Sequence, residues 1–424
     1  MITKTESDAP REIRDTGIRI IGDIRGPEPG ATLICFGGIH GNEPAGILAL
    51  EEVFRQLESA KEPLSAGRFI GVRGNLPALR RSKRYLEQDL NRIWTRTRIG
   101  QVCATAPGER STEEHQLAEI LTWLRELLEE GQPPFYFIDL HTTSSPTLPF
   151  VTMNDAVINR KFAQLFPVPV ILGIEEYLDG PLLSYINELG YVSLGFESGQ
   201  HQEPSATDSA VDFVRLALIF AGLLSDTGGR ETRSRLANLR EAAKGDAAFY
   251  EVYYRHALQS AREFRMVRGL KSFQPLPGGT LLAHDRDEPV FLKRKGILFM
   301  PLYQEQGEEG FFLIRRIAPW ALKLSAWLRR FRFQDWLAFL PGIRWADGNT
   351  LLVNLRIARF FSKPLFHLLG FRSRHRGRSH LLLTNRERTA RNADYRDTFW
   401  FSLCLLYTSP SPRDRTRSRM PSSA

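Results

Sequence analysis

Apolar and polar positions follow two different periods along residues 17–225. Short apolar runs of four to six residues are typical of buried strands, and longer stretches with apolar residues three and four apart predict helices between them. The predicted strands are Ile18–Ile21, Ala31–Phe36, Phe69–Val72, Phe135–Leu140, Phe150–Met153, Val168–Leu172 and Val192–Phe196. The predicted helices are Pro44–Leu57, Ser111–Glu130, Asn154–Phe166, Leu182–Leu189 and Ser205–Leu224. This alternation predicts an α/β fold, a layered sheet with helices on both faces.

Changes of pattern divide the 424 residues into further units. Residues 226–245 are polar and separate a first domain, 1–228, from a stretch of short strands and turns that predicts a small all-β domain at 246–317. Residues 318–403 are rich in Trp, Phe and Arg, and we expect a basic amphipathic helical extension there. Residues 404–424 are of low complexity, and we expect them to be disordered. They also resemble translated sequencing-adapter sequence, which indicates an artefact.

The charge of the chain is unevenly distributed. From Ala318 onward, 20 Lys and Arg residues stand against 6 Asp and Glu, whereas the rest holds 37 basic and 42 acidic residues. The overall net charge of +9 therefore comes from the last quarter. Any contact with an anionic partner is therefore expected in that quarter. We expect no nucleic-acid partner.

The basic extension also carries an apolar stripe at helical spacing. Its members are Trp320, Leu324, Trp327, Leu328 and Phe331. One interpretation is a helix in peripheral contact with a membrane surface. The other is an additional helix that packs on the body of the protein with its arginines in solvent.

The cysteine content and the hydropathy of the chain indicate its cellular compartment. The three cysteines, Cys35, Cys103 and Cys404, have no metal-site spacing and make a poor disulfide framework, which favours a reducing compartment. The first fifteen residues are polar, and no apolar run approaches the roughly 20 residues that span a bilayer. We therefore expect a cytoplasmic protein.

Three metal-ligand residues follow predicted strands. His40 and Glu43 lie three apart in a glycine-rich turn after one strand, and His141 follows another. Since open α/β sheets bind ligands at the carboxyl ends of their strands, these side chains can meet. Two histidines and a glutamate form the ligand set of a hydrolytic zinc site with an open fourth position, and we expect one zinc ion per chain.

Two further carboxylates suit the same site. Asp139 points to the same strand face as His141 and can accept a hydrogen bond from a ligand histidine. Glu197 ends another apolar strand before a glycine turn, where it can serve as general base.

The stretch Asp89-Leu-Asn91-Arg92 places an amide beside a guanidinium, which suits a substrate carboxylate. Arg84 lies close enough in sequence to reach the same cleft. We expect Asp89 to organise this loop rather than to contact the substrate.

Each residue also has a structural interpretation. Glu43 could be a first-turn acid of the next helix, and His141 an ordinary strand-end histidine. Glu197 could be a solvated acid, and Arg92 a partner in a structural ion pair. The combination of all these residues favours the site.

The motifs Gly38-Ile-His40-Gly-Asn-Glu43, Asp89-Leu-Asn91-Arg92, Asp139-Leu-His141 and the strand-end Glu197 occur in one order. In that order they resemble the succinylglutamate desuccinylase/aspartoacylase family, an offshoot of the zinc carboxypeptidases. The resemblance covers roughly residues 15–317. It implies a zinc-carboxypeptidase-like sheet followed by a smaller β domain.

The resemblance also implies roles for the site residues. His40, Glu43 and His141 would bind zinc, and Glu197 would be the catalytic carboxylate. Arg84 would polarise the scissile carbonyl, and Asn91 with Arg92 would hold the substrate carboxylate.

The chain departs from relatives that act on acidic N-acyl amino acids. They carry an arginine ten residues before the catalytic glutamate, where this chain has Asn187. Ser198-Gly199-Gln200 also replaces the aspartoacylase-like Val-Gly-Pro. The resemblance therefore predicts the reaction without predicting the amino acid.

Three functions follow as expectations. The first is a zinc-dependent deacylase that acts on a small N-acyl amino acid. The second is a metallocarboxypeptidase that acts on a peptide C-terminus with the same metal and base. The third is a non-catalytic protein that docks to a membrane or partner through its extension.

Overall fold

The strands and helices of the chain assemble around one long sheet. The computed structural model describes residues 17–59, 64–226, 229–331, 333–346, 348–355, 357, 369–376 and 380–403. Its strands are β1 (Ile20–Arg25), β2 (Glu28–Gly37), β3 (Ala66–Arg73), β4 (Phe135–Thr143), β5 (Phe150–Thr152), β6 (Val170–Leu172), β7 (Val192–Gln200), β8 (Phe249–Ala257), β9 (Phe264–Met266), β10 (Gln274–Leu276), β11 (Leu281–Asp285), β12 (Glu288–Phe291), β13 (Gly296–Phe299), β14 (Glu309–Arg316), β15 (Ile343–Trp345), β16 (Thr350–Asn354), β17 (Phe371–Arg376) and β18 (His380–Asn385). Its α-helices are α1 (Ala45–Ser59), α2 (Leu76–Arg80), α3 (Arg96–Ala104), α4 (Thr112–Glu130), α5 (Val157–Ala163), α6 (Leu182–Glu188), α7 (Pro204–Phe220), α8 (Arg230–Ala242) and α9 (Pro319–Arg330).

The central sheet has eleven strands in the order β1-β3-β2-β4-β7-β5-β6-β8-β14-β13-β10. Strands β3, β2, β4 and β7 are consecutive neighbours and run parallel. Strands β1 and β5 pair antiparallel with β3 and β7. The sheet is therefore mixed, and the predicted layered α/β fold is confirmed.

Helices cover both faces of the sheet because successive strand residues point in opposite directions. Leu33 and Cys35 of β2 face a core that includes α1, α5 and α7. Ile34 and Phe36 of the same strand face a second core with α3, α4 and α6. Since β2, β4 and β7 lie between two helical layers, their runs are almost wholly apolar.

The strands predicted for residues 246–317 are present, but they do not form one separate sheet. Strands β8, β14, β13 and β10 continue the central sheet, and only β9, β11 and β12 form a sheet of their own. Strand β8 pairs in parallel with β6 through Val170 and Phe249. Without that pairing β6 would be an edge strand with open backbone groups, so the later strands extend the sheet.

The prediction of a helical extension over residues 318–403 is wrong for most of its length. Among the described residues of that stretch, α9 is the only α-helix, and β15, β16, β18 and β17 form a four-stranded antiparallel sheet. The physical reason is a period of two: Leu351 and Val353 are buried in β16, and Leu381 and Leu383 in β18. These short alternations lie among arginines and aromatic residues, which obscured them.

No helix in the described ranges is both long and apolar enough to cross a bilayer. The predicted disordered segment, 404–424, lies outside the described residues. Cys35 and Cys103 are free thiols.

The last described stretch of the chain returns to the core of the central sheet. The hydroxyl of Tyr395 accepts a hydrogen bond from Val192 N at 2.9 Å and donates one to the carbonyl of Phe135. The Trp400 ring is fully buried, 6.1 Å from the ring of Tyr136. This stretch therefore belongs to the same hydrophobic core as strands β4 and β7.

We expect Trp400→Ala to lower the free energy of unfolding by about 3–5 kcal/mol, because it leaves a large cavity in this core. Phe399→Ala is the matched control, since Phe399 is 53% exposed, and it should change the free energy by less than about 1 kcal/mol. Urea denaturation followed by circular dichroism measures both. Equal stabilities of the two variants would show that the C-terminal stretch is not part of the core.

Candidate metal centre and active site

The candidate site lies where three neighbouring parallel strands end. His40 and Glu43 occupy the turn between β2 and α1, and His141 lies near the end of β4. Glu197 of β7 is the register partner of His141. The parallel pairing of β2, β4 and β7 thus brings together four side chains that are up to 157 residues apart in sequence.

Two glycines shape the turn that carries His40 and Glu43. Gly38 has a φ of +70°, a conformation that side chains other than glycine rarely adopt. At Gly41, an added Cβ would lie 2.2 Å from the carbonyl carbon of Ala78. The turn can therefore approach the neighbouring α2 only because it is rich in glycine.

The carboxylate of Glu43 lies between two imidazole rings. Its Oε1 is 2.9 Å from Nδ1 of His40, and its Oε2 is 2.9 Å from Nδ1 of His141. One ligand atom from each of the three residues lies within 4.8 Å of the others. The structure thus brings together the three residues that the sequence predicts as metal ligands.

Each imidazole has a second carboxylate at its other nitrogen. Nε2 of His40 is 3.1 Å from Oδ1 of Asp89, and Nε2 of His141 is 2.8 Å from Oδ2 of Asp139. A neutral ring that donates from Nε2 to a carboxylate keeps the lone pair of Nδ1 for a metal ion. The two Nδ1 atoms are also the nitrogens that face Glu43.

The local charge favours a cation at this point. Glu43 and Asp139 are buried, and the Asp89 side chain is only 8% exposed. Arg84 contacts this group directly, with its Nη1 3.5 Å from Oε1 of Glu43. Since buried charges require compensation, the residues present fit a divalent metal ion.

The environment shifts the pKa of Glu43 and Glu197 in opposite directions. Burial alone would raise the pKa of Glu43, but His40 and His141 outweigh it and hold that pKa well below its usual range. Burial raises the pKa of Glu197 to about 8, and Glu43 adds to the rise while His141 opposes it. The Oε2 atom of Glu197 is buried without a hydrogen-bond partner. A carboxyl group with a pKa near neutrality suits proton transfer.

The predicted substrate residues line the same cavity as the metal-ligand set. Arg84, Asn91 and Arg92 lie on its wall, and its volume is about 110 Å³. Arg84 donates from Nε and Nη2 to Oδ2 of Asp89, at 3.2 and 3.0 Å. Asp89 also accepts a hydrogen bond from Asn91 N at 2.8 Å. Asp89 thus organises the loop, as the sequence suggests, and contacts His40 as well.

Arg92 and Asn91 have partners within the chain. Nη2 of Arg92 donates to Oε2 of Glu309 at 3.3 Å. Oδ1 of Asn91 accepts a hydrogen bond from Leu182 N at 2.9 Å. The structural ion pair considered for Arg92 is therefore present, and its partner Glu309 was missed because it lies 217 residues away at the start of β14.

A polar chain beside the metal-ligand turns was also missed. Oγ1 of Thr142 lies 2.7 Å from Nδ1 of His201, and Nε2 of His201 lies 3.1 Å from Oε1 of Gln304. Asn42 Nδ2 donates to the same Gln304 oxygen at 2.9 Å. Burial lowers the pKa of His201, so the ring is neutral near pH 7. The sequence offers one signal for His201, which is its position four residues after Glu197. The contact with Gln304 could not be predicted, because Gln304 lies too far along the chain.

Comparisons with known proteins agree with these motifs. Residues 29–219 match the family model of the succinylglutamate desuccinylase/aspartoacylase catalytic domain. A succinylglutamate desuccinylase of Burkholderia lata is 39% identical over 83 residues, which are 20% of this chain and 23% of that protein. The enzyme of that name from Pseudomonas paraeruginosa is 35% identical over 115 residues, or 27% of this chain and 31% of its own. The chain thus spans about a quarter to a third of the length of the curated relatives that it matches.

The fold has a solved counterpart. The crystal structure of a succinylglutamate desuccinylase/aspartoacylase from Rhodobacter sphaeroides has a TM-score of 0.52 to this chain, at 18% identity. The match covers 70% of this chain and 88% of that one. The order of motifs, the matched family model and the shared fold agree, and the resemblance predicted from the sequence is confirmed. Residues 29–219 of this chain therefore belong to the succinylglutamate desuccinylase/aspartoacylase family.

Proposed function

We propose that the protein is a zinc-dependent hydrolase that cleaves the amide bond of an N-acyl amino acid or a related carboxylate substrate. The observation that carries this proposal is the convergence of His40, Glu43 and His141 beside the buried, unpaired Oε2 of Glu197. Two imidazoles and one carboxylate form a zinc ligand set with room for substrate or water.

Nδ1 of His40, Nδ1 of His141 and the carboxylate of Glu43 would hold the zinc ion. When bound, zinc supplies Lewis acidity that polarises a carbonyl and makes water nucleophilic near neutral pH. Asp89 and Asp139 orient the two rings from the far side.

Glu197 is the proton carrier of the proposed reaction. Its carboxylate accepts a proton from the attacking water and returns it to the leaving amine. Its position opposite His141 keeps it at the metal-ligand set, and its burial keeps solvent from competing for the proton.

The arginines bind and orient the substrate. Arg84, held by two hydrogen bonds to Asp89, stabilises the oxyanion that develops on the amide. Arg92 and Asn91 bind the substrate carboxylate, with Glu309 sharing the Arg92 guanidinium. Orientation of the substrate lowers the entropic part of the barrier.

The size of the cavity favours a small substrate over a peptide C-terminus. Its volume is about 110 Å³, and an adjoining cavity of about 80 Å³ shares Arg84, Arg92 and Thr142 with it. Pockets that enclose drug-sized ligands are usually about 300–1,000 Å³. A metallocarboxypeptidase with the same metal and base is the alternative, and hydrolysis of short peptides but of no N-acyl amino acid would establish it.

Glu197→Gln should retain zinc and lose hydrolysis by about 10²–10⁴-fold, because the amide cannot accept the proton. Metal content by mass spectrometry and turnover of a panel of N-acyl amino acids measure the two effects. Glu203→Gln, at an exposed position just after the same strand, should match the wild type in both. Full activity of the Glu197 variant, or wild-type protein without zinc, would contradict the proposal and favour a non-catalytic protein.

Asp139→Asn should weaken zinc binding by about 10–100-fold, because Nε2 of His141 loses its carboxylate partner. Competition with a chromophoric chelator measures the dissociation constant of zinc. Asp208→Asn, on the exposed side of α7, serves as the control and should leave it unchanged. An unaltered constant in the Asp139 variant would argue against a role of Asp139 at the metal centre.

We further propose that the extension contacts an anionic lipid surface. Large apolar side chains along α9 and the turns after it are 39% to 86% exposed to solvent. We call this set the aromatic surface. Its members are Trp320, Leu324, Trp327, Phe331, Phe333, Trp336 and Phe339. The ring of Trp327 lies 5.0 Å from that of Phe331 and 5.3 Å from that of Phe333. Lys323 and Arg330 are exposed on the same helix and complement anionic lipid, and aromatic residues favour the membrane interface.

A double variant, Trp320→Ser with Trp327→Ser, should weaken binding to vesicles rich in phosphatidylglycerol by about tenfold or more, since each ring removed lessens the apolar area buried in lipid. Vesicle co-sedimentation measures the bound fraction. The control is Tyr253→Ser with Phe291→Ser, which alters exposed aromatic residues outside this surface. Wild-type protein that does not bind, or equal binding by both double variants, would eliminate the lipid proposal.

A further inference from the structure

Two short segments of the catalytic domain form part of the cavity wall. Asn154 lines the cavity, as do Ile174, Glu175 and Leu178 from a tight turn after β6. We call this turn, residues 174–178, the wall turn. Neither segment supplies a ligand to the candidate metal centre.

Two arginines of the C-terminal extension hold the wall turn. Nη2 of Arg372 donates to the carbonyl of Glu175 at 2.5 Å and to that of Leu178 at 3.0 Å. Nη2 of Arg386 lies 2.9 Å from Oε1 of Glu175 and 2.6 Å from Oε1 of Glu176. The extension thus binds both the backbone and the carboxylates of the turn.

A third arginine of the extension holds the other wall segment. Arg329 of α9 is buried and donates from Nη1 to the carbonyl of Asp155 and from Nη2 to Oδ2 of Asp155, both at 2.8 Å. Asp155 N in turn donates to Oε1 of Glu175 at 3.2 Å, which links the two segments. Asp155 follows Asn154 directly, so fixing Asp155 also fixes the cavity residue before it.

Residues that precede the extension also contact the wall turn. Arg255 of β8 donates to the carbonyl of Tyr177. Within the turn, Glu176 N donates to the carbonyl of Gly173, and Leu178 N to that of Ile174, both at 3.2 Å. Tyr177 N also donates to the carbonyl of Ile174, at 3.0 Å. A single turn has few internal hydrogen bonds, so contacts from outside help to fix its position.

We propose that the C-terminal extension sets the shape of the substrate cavity, with Arg372 and Arg386 as positioning residues of the wall turn. The proposal rests on the hydrolase function proposed above and adds that substrate affinity depends on residues after Ala318. These arginines lie outside the matched family model, which ends at residue 219.

The wall turn bears on substrate binding more than on the chemical step. Ile174, Glu175 and Leu178 of the turn line the cavity, and the turn includes neither the metal-ligand set nor Glu197. A wall that contacts the substrate equally in the ground state and in the transition state contributes to binding alone. Loosening it therefore raises KM and leaves kcat nearly constant.

Arg372→Gln tests the proposal, because the shorter, neutral glutamine side chain cannot replace the hydrogen bonds of Nη2 to both carbonyls. We expect KM for the best N-acyl amino acid to rise about tenfold, with kcat changed by less than about twofold. Arg372→Lys, which keeps the charge but not the guanidinium, should have a KM between those of Arg372→Gln and the wild type. Arg391→Gln is the matched control, since Arg391 packs over the ring of Tyr191 at 4.7 Å, and it should leave KM unchanged.

Hydrogen exchange provides a readout that needs no substrate. The amides of Glu176, Tyr177 and Leu178 are hydrogen-bonded within the turn, and their exchange should accelerate about tenfold in Arg372→Gln but not in Arg391→Gln. Unchanged exchange would overturn the positioning role, and faster exchange with unchanged KM would overturn the link to substrate. If the wild type hydrolyses no compound of the panel, the proposed function fails, and the exchange result still decides whether the extension positions the wall.

Discussion

The candidate site depends on one buried carboxylate placed between two imidazoles. Both oxygens of Glu43 face an Nδ1 atom at 2.9 Å, and Thr142 N also donates to Oε2 at 3.0 Å. A carboxylate removed from water is costly unless it is paired in this way. The pairing requires β2 and β4 to end side by side, so the parallel register of the sheet and the glycine-rich turn are conditions of the chemistry.

The metal-ligand set could be predicted because each member follows an apolar run that is typical of a strand. His40, Glu43 and His141 each occupy the end of such a run, and parallel strands end at one edge. Glu309 and His201 could not be found in this way. Their partners, Arg92 and Gln304, lie more than 100 residues away, and no local pattern records such a pairing.

The fold was predictable to a similar degree. Strands and helices over residues 17–225 matched their hydrophobic periods, because burial between two layers leaves a strong signal. The four-stranded sheet of the extension was missed because β15, β16 and β18 contribute only one to three buried residues each. The continuation of the central sheet through β8 was also missed, since sheet order is decided by packing between distant segments.

Buried ion pairs give the extension a defined orientation on the catalytic domain. Arg329 contacts Asp155 and Glu387, and Arg386 contacts Glu175 and Glu176. Leaving one partner of a buried pair alone costs about 3–5 kcal/mol. A displaced extension would leave several charges unpaired at once, so the pairs select a single docked arrangement.

The return of Tyr395 and Trp400 to the core has a consequence for synthesis on the ribosome. The strands that these rings cover are complete by residue 200, roughly 200 residues before Trp400 is made. At about 5–20 residues per second, the nascent catalytic sheet waits about 10–40 s with part of its apolar face uncovered. During that interval the incomplete core exposes apolar surface, and the core closes only once Tyr395 and Trp400 have been made.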